Sequence, residues 1–276
     1  NNNDSETIIV DFNKIFEEFK AELKLRRSLQ MNTIEIPKVT WDQVAGLEEV
    51  KEILKDLIGK LQNELRPTGV LLHGPPGTGK TLIAKALATQ SRFSLLPVKG
   101  PELLSPYIGE SESALREVFS EAALMSPCII FFDELDALVP KRGEFGDSVG
   151  VTDRMVATFM TEMDKISLSF EDSCVFVIGA TNRPDLIDPV LLRKGRFDTC
   201  VLLDGPKSIE ERADILKASC KGLRCSQEID FTTPFIQPGQ EAILNQLSPA
   251  QIASIATNAA RIVLERKLEL AAAYQN

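Results

Sequence analysis

Histidine, tryptophan and tyrosine are scarce: one, one and two in 276 residues. With His73 as the single imidazole, no metal centre built on paired histidines is available. The five cysteines, Cys128, Cys174, Cys200, Cys220 and Cys225, contain no Cys-x-x-Cys pair, which excludes a zinc cluster and leaves reduced thiols as the expectation. Positive charge is also in deficit, 31 Lys and Arg against 40 Asp and Glu for a net −9. A nonspecific binder of nucleic-acid backbone would carry the opposite balance, although a local basic lining remains open. No apolar run approaches the ~18 residues of a membrane-spanning helix. The chain opens Asn1-Asn2-Asn3 rather than with Met, and no charged start leads into an apolar core. The expectation is an intracellular piece of a longer protein. Its 43% hydrophobic and 26% charged residues match an ordinary globular chain.

What is present has a clear order. Phe12, Ile15, Phe16, Phe19 and Leu23 follow helical spacing, with Arg26-Arg27 closing that helix, and residues 28–40 read as extended. A second amphipathic helix is expected over 47–65. Short apolar runs then alternate with helical segments: 70–73, 94–98, 129–132, 175–179 and 200–203. Strands alternating with helices imply a parallel sheet covered on both faces. The polar stretch Lys141–Val151 predicts a mobile loop. After Pro206 strand signals stop. Ser208 with Glu211, and Ser248 with Gln251, make capping boxes for two helices. In the second, Ile252, Ile255, Ala256, Ala259 and Val263 are the expected buried stripe.

Gly74-Pro75-Pro76-Gly77-Thr78-Gly79-Lys80-Thr81 fits the phosphate-loop pattern GxxxxGK[ST] in full, after an apolar strand and at the start of a helix over Lys80–Gln90. Glycines let backbone N–H groups face phosphate oxygens, and the helix N-terminus adds partial positive charge. Lys80 is expected on the β- and γ-phosphates and the Thr81 hydroxyl on Mg²⁺. Leu82 extends the nucleotide-contacting set. Fifty-three residues past Lys80, Ile129-Ile130-Phe131-Phe132 ends in the acidic pair Asp133-Glu134. Carboxylates at the C-terminal end of a buried strand lie where ligands bind in open α/β sheets. Asp133 is expected in the Mg²⁺ shell, through water, and Glu134 as the general base that polarises the attacking water. No Asn-Lys-x-Asp guanine reader lies downstream of the loop, so ATP is favoured over GTP.

From residue 37 to 270 the sequence resembles the AAA ATPases. Gly179-Ala180-Thr181-Asn182-Arg183-Pro184-Asp185, continuing through Gly195-Arg196-Phe197-Asp198, is similar to the family's second region of homology. The resemblance implies a P-loop sheet domain sandwiched by helices at 37–206. It also implies a small all-helical lid at 207–276, with 1–36 as a linker helix from an upstream cassette. Asn182 would orient water and Arg196 would be an arginine finger entering the neighbouring subunit's site; Arg193 assists or is structural. Val44-Ala45-Gly46 and Ala250 would contact adenine. Lys99 to Glu110 resembles the first pore loop, with Tyr107 and Ile108 gripping polypeptide, and the 143–150 stretch matches the second pore loop in position. Two departures stand out. Thr199 occupies the place of a second arginine in many relatives, and Pro249-Ala250-Gln251 replaces a usual Gly-Ala-Asp.

Within the family, Gly146-Asp147-Ser148-Val149-Gly150-Val151-Thr152-Asp153-Arg154 is similar to the second cassette of peroxisome-biogenesis members. This resemblance implies a hexamer with a related peroxisomal AAA subunit and a polypeptide substrate such as a peroxisomal import receptor. It also implies a membrane anchor protein, a cytoplasmic location on the peroxisome surface, and no direct nucleic-acid contact. Two alternatives stay open: a general segregase ring acting on ubiquitin-linked or SNARE-like cargo, and a weakly hydrolysing nucleotide-binding scaffold.

Overall fold

The computed structural model describes residues 37–62, 69–105, 107, 109–141, 149–168, 174–221, 223, 229–235 and 246–273. The expected helix over 12–27, the 1–36 linker, Ile108, Cys225 and residues 142–148 of the expected loop lie outside them. Val149–Val151, expected in that loop, instead open a helix.

Five strands form the sheet: β1 Gly69–His73, β2 Ser94–Lys99, β3 Cys128–Asp133, β4 Val175–Thr181 and β5 Thr199–Leu202. All pairings are parallel, in the order β2-β3-β4-β1-β5. The strand faces separate by alternate residues, as a period of two requires. On β3, Cys128, Ile130 and Phe132 enter one core, and Ile129 and Phe131 enter the other. Both faces are covered, which is why these strands read as unbroken apolar runs rather than as alternating ones.

Helices α1 Glu48–Gln62 and α2 Lys80–Ser91 cover one face. The other face carries α3 Glu110–Leu124, the short α4 Leu135–Leu138 and α5 Val149–Leu168. There Phe119, Phe132 and Phe159 meet with ring centroids 5.1 to 5.8 Å apart, and Phe197 joins Phe159 at 6.2 Å. The two edge-to-face pairs among them, Phe119–Phe159 and Phe132–Phe159, add about 0.5–1.5 kcal/mol each beyond the area they bury.

Among the described residues two further α-helices follow the sheet: α6 Ile209–Ser219 and α7 Pro249–Ala273. Both start as the sequence implies. Glu211 N–H donates to Ser208 Oγ at 3.1 Å, although the Glu211 carboxylate reaches back to Lys207 N–H rather than to that of Ser208. At α7 the exchange is reciprocal: Gln251 N–H to Ser248 Oγ at 3.3 Å, and Ser248 N–H to Gln251 Oε1 at 2.8 Å. Ile215, Leu216, Phe235, Ile252 and Ala256 form a third core separate from the two sheet cores. The expected stripe on α7 is buried only at Ile252 and Ala256; Ile255 and Val263 are 39% and 51% exposed, and Ala259 is also exposed. Among the described residues no helix is long and apolar enough to cross a membrane.

Candidate functional site

Because β1 and β3 both hydrogen-bond to β4, the chain segments leaving these three strands emerge side by side at one edge of the sheet. The loop after β1 is the phosphate-loop motif. Gly74 sits at φ +149°, and a side chain there would run into the Leu203 carbonyl of the segment after β5. Lys80 is buried, and its ammonium donates to the carbonyls of Gly74 and Pro75 at 2.9 Å each. Burial lowers its pKa from the ordinary lysine value, with the Asp133 charge opposing. His73, one residue before the loop, is held below the usual imidazole value by burial and by Lys80, so it is neutral at pH 7.

Thr81 Oγ1 lies 3.4 Å from Asp133 Oδ2. Asp133 Oδ1 accepts the Glu134 N–H at 3.0 Å. Glu134 is one of three non-glycine residues with positive φ among the described residues, at +53°. Such a conformation costs of order 1–3 kcal/mol and persists only where its surroundings hold it. It leaves the Glu134 side chain exposed beside the loop. Beyond β4, buried Thr181 donates to Asp136 at 2.6 Å and accepts the Arg183 N–H at 2.9 Å, which fixes the turn on either side of exposed Asn182.

Lys80, Thr81, Asp133, Glu134 and Asn182 line one cavity of about 510 Å³. Val44, Ala45, Gly46, Pro76 through Leu82, Asp133, Glu134, Asn182 and Ala250 all line it. Gly74 and Pro75 do not; they stand behind the loop, and their contribution is the pair of carbonyls that hold Lys80. The opposite wall, unforeseen from the sequence, comes from Asp204 to Pro206 and from Glu211, Ile215, Ala218 and Ser219 of α6. The start of α7 closes the cavity: Ala250 N–H donates to the Gly77 carbonyl at 3.0 Å. Gly77 has φ +78°, and a side chain there would come within 3.1 Å of both Ala250 Cβ and Ser248 Oγ.

The loop side therefore offers a lysine, backbone N–H groups at a helix start, a hydroxyl and two carboxylates, and the rest of the lining sets apolar Val44, Ala45, Pro206, Ile215, Ala218 and Ala250 beside the acids Asp204 and Glu211. That division suits a molecule with a polyphosphate end and a flat organic end. Thr81 and Asp133 present hard oxygen donors of the type Mg²⁺ takes. Among the described residues no group of three or more His, Cys, Asp or Glu side chains could hold a metal ion.

Arg196 is outside the cavity lining. Its Nε and Nη2 donate to the two Asp164 oxygens at 3.1 and 3.0 Å, and its Nη1 to the Val190 carbonyl at 2.9 Å. Thr199 opens β5 beside Val70 of β1. Tyr107 is 70% exposed on the segment before α3, braced where its N–H donates to Ser105 Oγ at 3.2 Å.

Residues 70–204 match the model for the ATPase family associated with various cellular activities (AAA). The peroxisomal ATPase pex6 of Schizosaccharomyces pombe is 48% identical over 216 residues, 75% of this chain and 23% of that protein. The Homo sapiens peroxisomal ATPase PEX6 is 43% identical over 254 residues, 90% of this chain and 25% of its own length. The Arabidopsis thaliana protein of that name is 44% identical over 229 residues, 80% of this chain and 24% of its own. The chain spans about a quarter of the length of these relatives.

Proposed function

Through residues 70–204 the chain belongs to the AAA ATPase family, and on that footing we propose that it is one ATP-hydrolysing cassette of a ring that draws polypeptide through a central pore. The observation that carries the reading is the convergence of Lys80, Thr81, Asp133, Glu134 and Asn182 on a single cavity.

ATP lies between the sheet edge and the 207–276 helical lid, its adenine against Val44, Ala45, Gly46 and Ala250. The backbone N–H groups of Gly77 to Thr81 take phosphate oxygens. The Lys80 ammonium exchanges its two carbonyl acceptors for charged ones, which are stronger partners. Mg²⁺, held by Thr81 and through water by Asp133, neutralises charge on the phosphates when bound. The Glu134 carboxylate accepts a proton from the attacking water, and Asn182 orients that water. Arg196, which does not line its own cavity, serves the neighbouring subunit, where such an arginine accelerates transfer by ~10³–10⁵. Exposed Tyr107, with Ile108, gives sequence-tolerant contact area to a translocating chain.

The likeness to peroxisomal ATPases supports a role in peroxisome biogenesis, with a peroxisomal import receptor as cargo. The ring would include a related subunit and sit on the membrane through an anchor protein.

Replacing Glu134 by Gln tests the assignment. ATP affinity should stay within about threefold while turnover falls by at least ~10³, the scale of losing a general base in a preorganised site. The same comparison separates the scaffold alternative, in which the parent chain itself hydrolyses little and the substitution changes nothing.

A further inference from the structure

A second depression, of about 280 Å³, lies between α3 and α5 and shares no residue with the nucleotide cavity. Phe119 and Phe159, with ring centroids 5.7 Å apart, hold the two helices side by side. The start of α3 lends Gly109, Glu112 and Arg116, and α5 lends Arg154, Ala157 and Thr158. Each trio repeats at intervals of three and four residues, so each lies on one helix face. Glu112 is 6% exposed, a rare degree of burial for a glutamate. Its Oε1 pairs with Arg154 Nε at 3.3 Å, while its Oε2 is buried with no hydrogen-bond partner. Arg116, four residues along α3, is exposed, and its guanidinium makes no hydrogen bond or ion pair among the described residues.

We propose that this depression binds a peptide bond of the polypeptide that the cassette handles: the amide N–H donates to Glu112 Oε2, and the amide carbonyl accepts from Arg116 and the Thr158 hydroxyl. The inference rests on the polypeptide-handling function proposed above and adds a main-chain contact to it. A buried carboxylate oxygen without a partner is costly and calls for a donor. The rest of the lining offers donors, the guanidinium N–H groups and a hydroxyl. A simple anion would leave Oε2 unpaired, and a simple cation would meet two arginines against one glutamate. An amide carries a donor and an acceptor on neighbouring atoms and no net charge, so it satisfies both sets. The main-chain amide recurs along any polypeptide, and contact through it is as tolerant of sequence as contact with the exposed Tyr107 ring, two residues before Gly109. Side-chain amides of asparagine and glutamine offer the same chemistry from a second source.

The test uses the full-length protein in its native ring, carrying Glu134→Gln so that ATP stays bound. The probe is a fluorescein-labelled unstructured peptide of alanine, serine, leucine and glycine, read by anisotropy. It is compared with the same peptide methylated at alternate amide nitrogens, and with one rich in asparagine and glutamine. Methylation should weaken binding to the parent ring about tenfold, the scale of one lost hydrogen bond to a charged acceptor. Glu112→Met keeps the side-chain volume and removes the acceptor, so the methylated and unmethylated peptides should then bind within about twofold of each other. Arg116→Ala should weaken the unmethylated peptide about tenfold, and Arg116→Lys should recover part of the loss. Equal binding of the methylated peptide by the parent ring, discrimination that survives Glu112→Met, or parent-like affinity in Arg116→Ala would overturn the inference. So would dependence on asparagine and glutamine content in place of methylation, which would move the ligand to side chains. Loss of ring assembly in Arg116→Ala would make the depression a subunit contact and overturn it as well. Should Glu112→Met fail to fold, methylation and Arg116→Ala decide on their own. The two readings fail separately. A parent ring that binds none of the peptides removes the polypeptide-handling function and this inference with it, whereas one that binds them all equally, with or without Arg116, removes the inference alone.

Discussion

Lys80 sets two opposing pH dependences. Burial draws its pKa below the ordinary value. Between the lowered folded value and the unfolded one, the unfolded chain holds more protons, so stability rises with pH across that window. Phosphate binding runs the other way, because it needs the ammonium. The alkaline loss of ATP affinity should therefore begin below the ~10.4 of a free lysine. A titration of ATP Kd against pH checks this, and a midpoint at or above that value would contradict it. At this scale, what was legible in the sequence was what is local. The phosphate loop could be read because eight consecutive residues define it, and Asp133-Glu134 because a buried strand points at them. The Arg196–Asp164 fork joins positions 32 apart, on elements whose approach depends on the packing of Phe159 and Phe197. The α6 side of the cavity was hidden for the same reason: Ile215 and Ala218 look like ordinary helix residues until the chain folds back over the loop.

Among the elements, α7 shows where periodicity stops being informative. Its apolar spacing identified a face correctly at Ile252 and Ala256, then overreached at Ile255, Ala259 and Val263. Ile255 lies between the two buried positions and points off the covered side, whereas for Ala259 and Val263 the reason is length. The partner α6 has 11 residues against 25 in α7, about 16 Å of helix against about 37 Å at 1.5 Å per residue. A sequence pattern reveals which side of a helix is apolar, but not how much neighbour exists to cover it. The start of α7 is well specified by the reciprocal hydrogen bonds between Ser248 and Gln251. Ser248→Ala removes the hydroxyl that caps Gln251 N–H and should cost about 1 kcal/mol, measurable by denaturant unfolding. It should also raise the KM for ATP severalfold, because the cap holds Ala250 on Gly77. Unchanged stability together with unchanged KM would show that the cap does neither job.

For the whole molecule, the proposed trans finger makes activity a property of the assembly. Specific activity per subunit should rise with protein concentration and reach a plateau when rings are complete, whereas Arg196→Ala should stay flat near zero at every concentration. A dilution series of ATPase rates decides it, and a parent chain whose specific activity is independent of concentration would count against the ring. The five-stranded parallel sheet was legible because each buried strand is a short apolar run between helices. Beyond Pro206, Ile215, Leu216, Phe235, Ile252 and Ala256 form a third core that shares no residue with the two around the sheet. The bond from Ala250 to Gly77 has a mechanical meaning beyond closing a cavity. It fastens the short end of a rod to the loop that feels the phosphates, leaving a long free arm. With an arm of about 37 Å, a tilt of roughly ten degrees at that fastening sweeps the far end through about 6 Å. Sub-ångström adjustments of the loop would thereby be geared up to displacements of several ångströms at the far end of the helix.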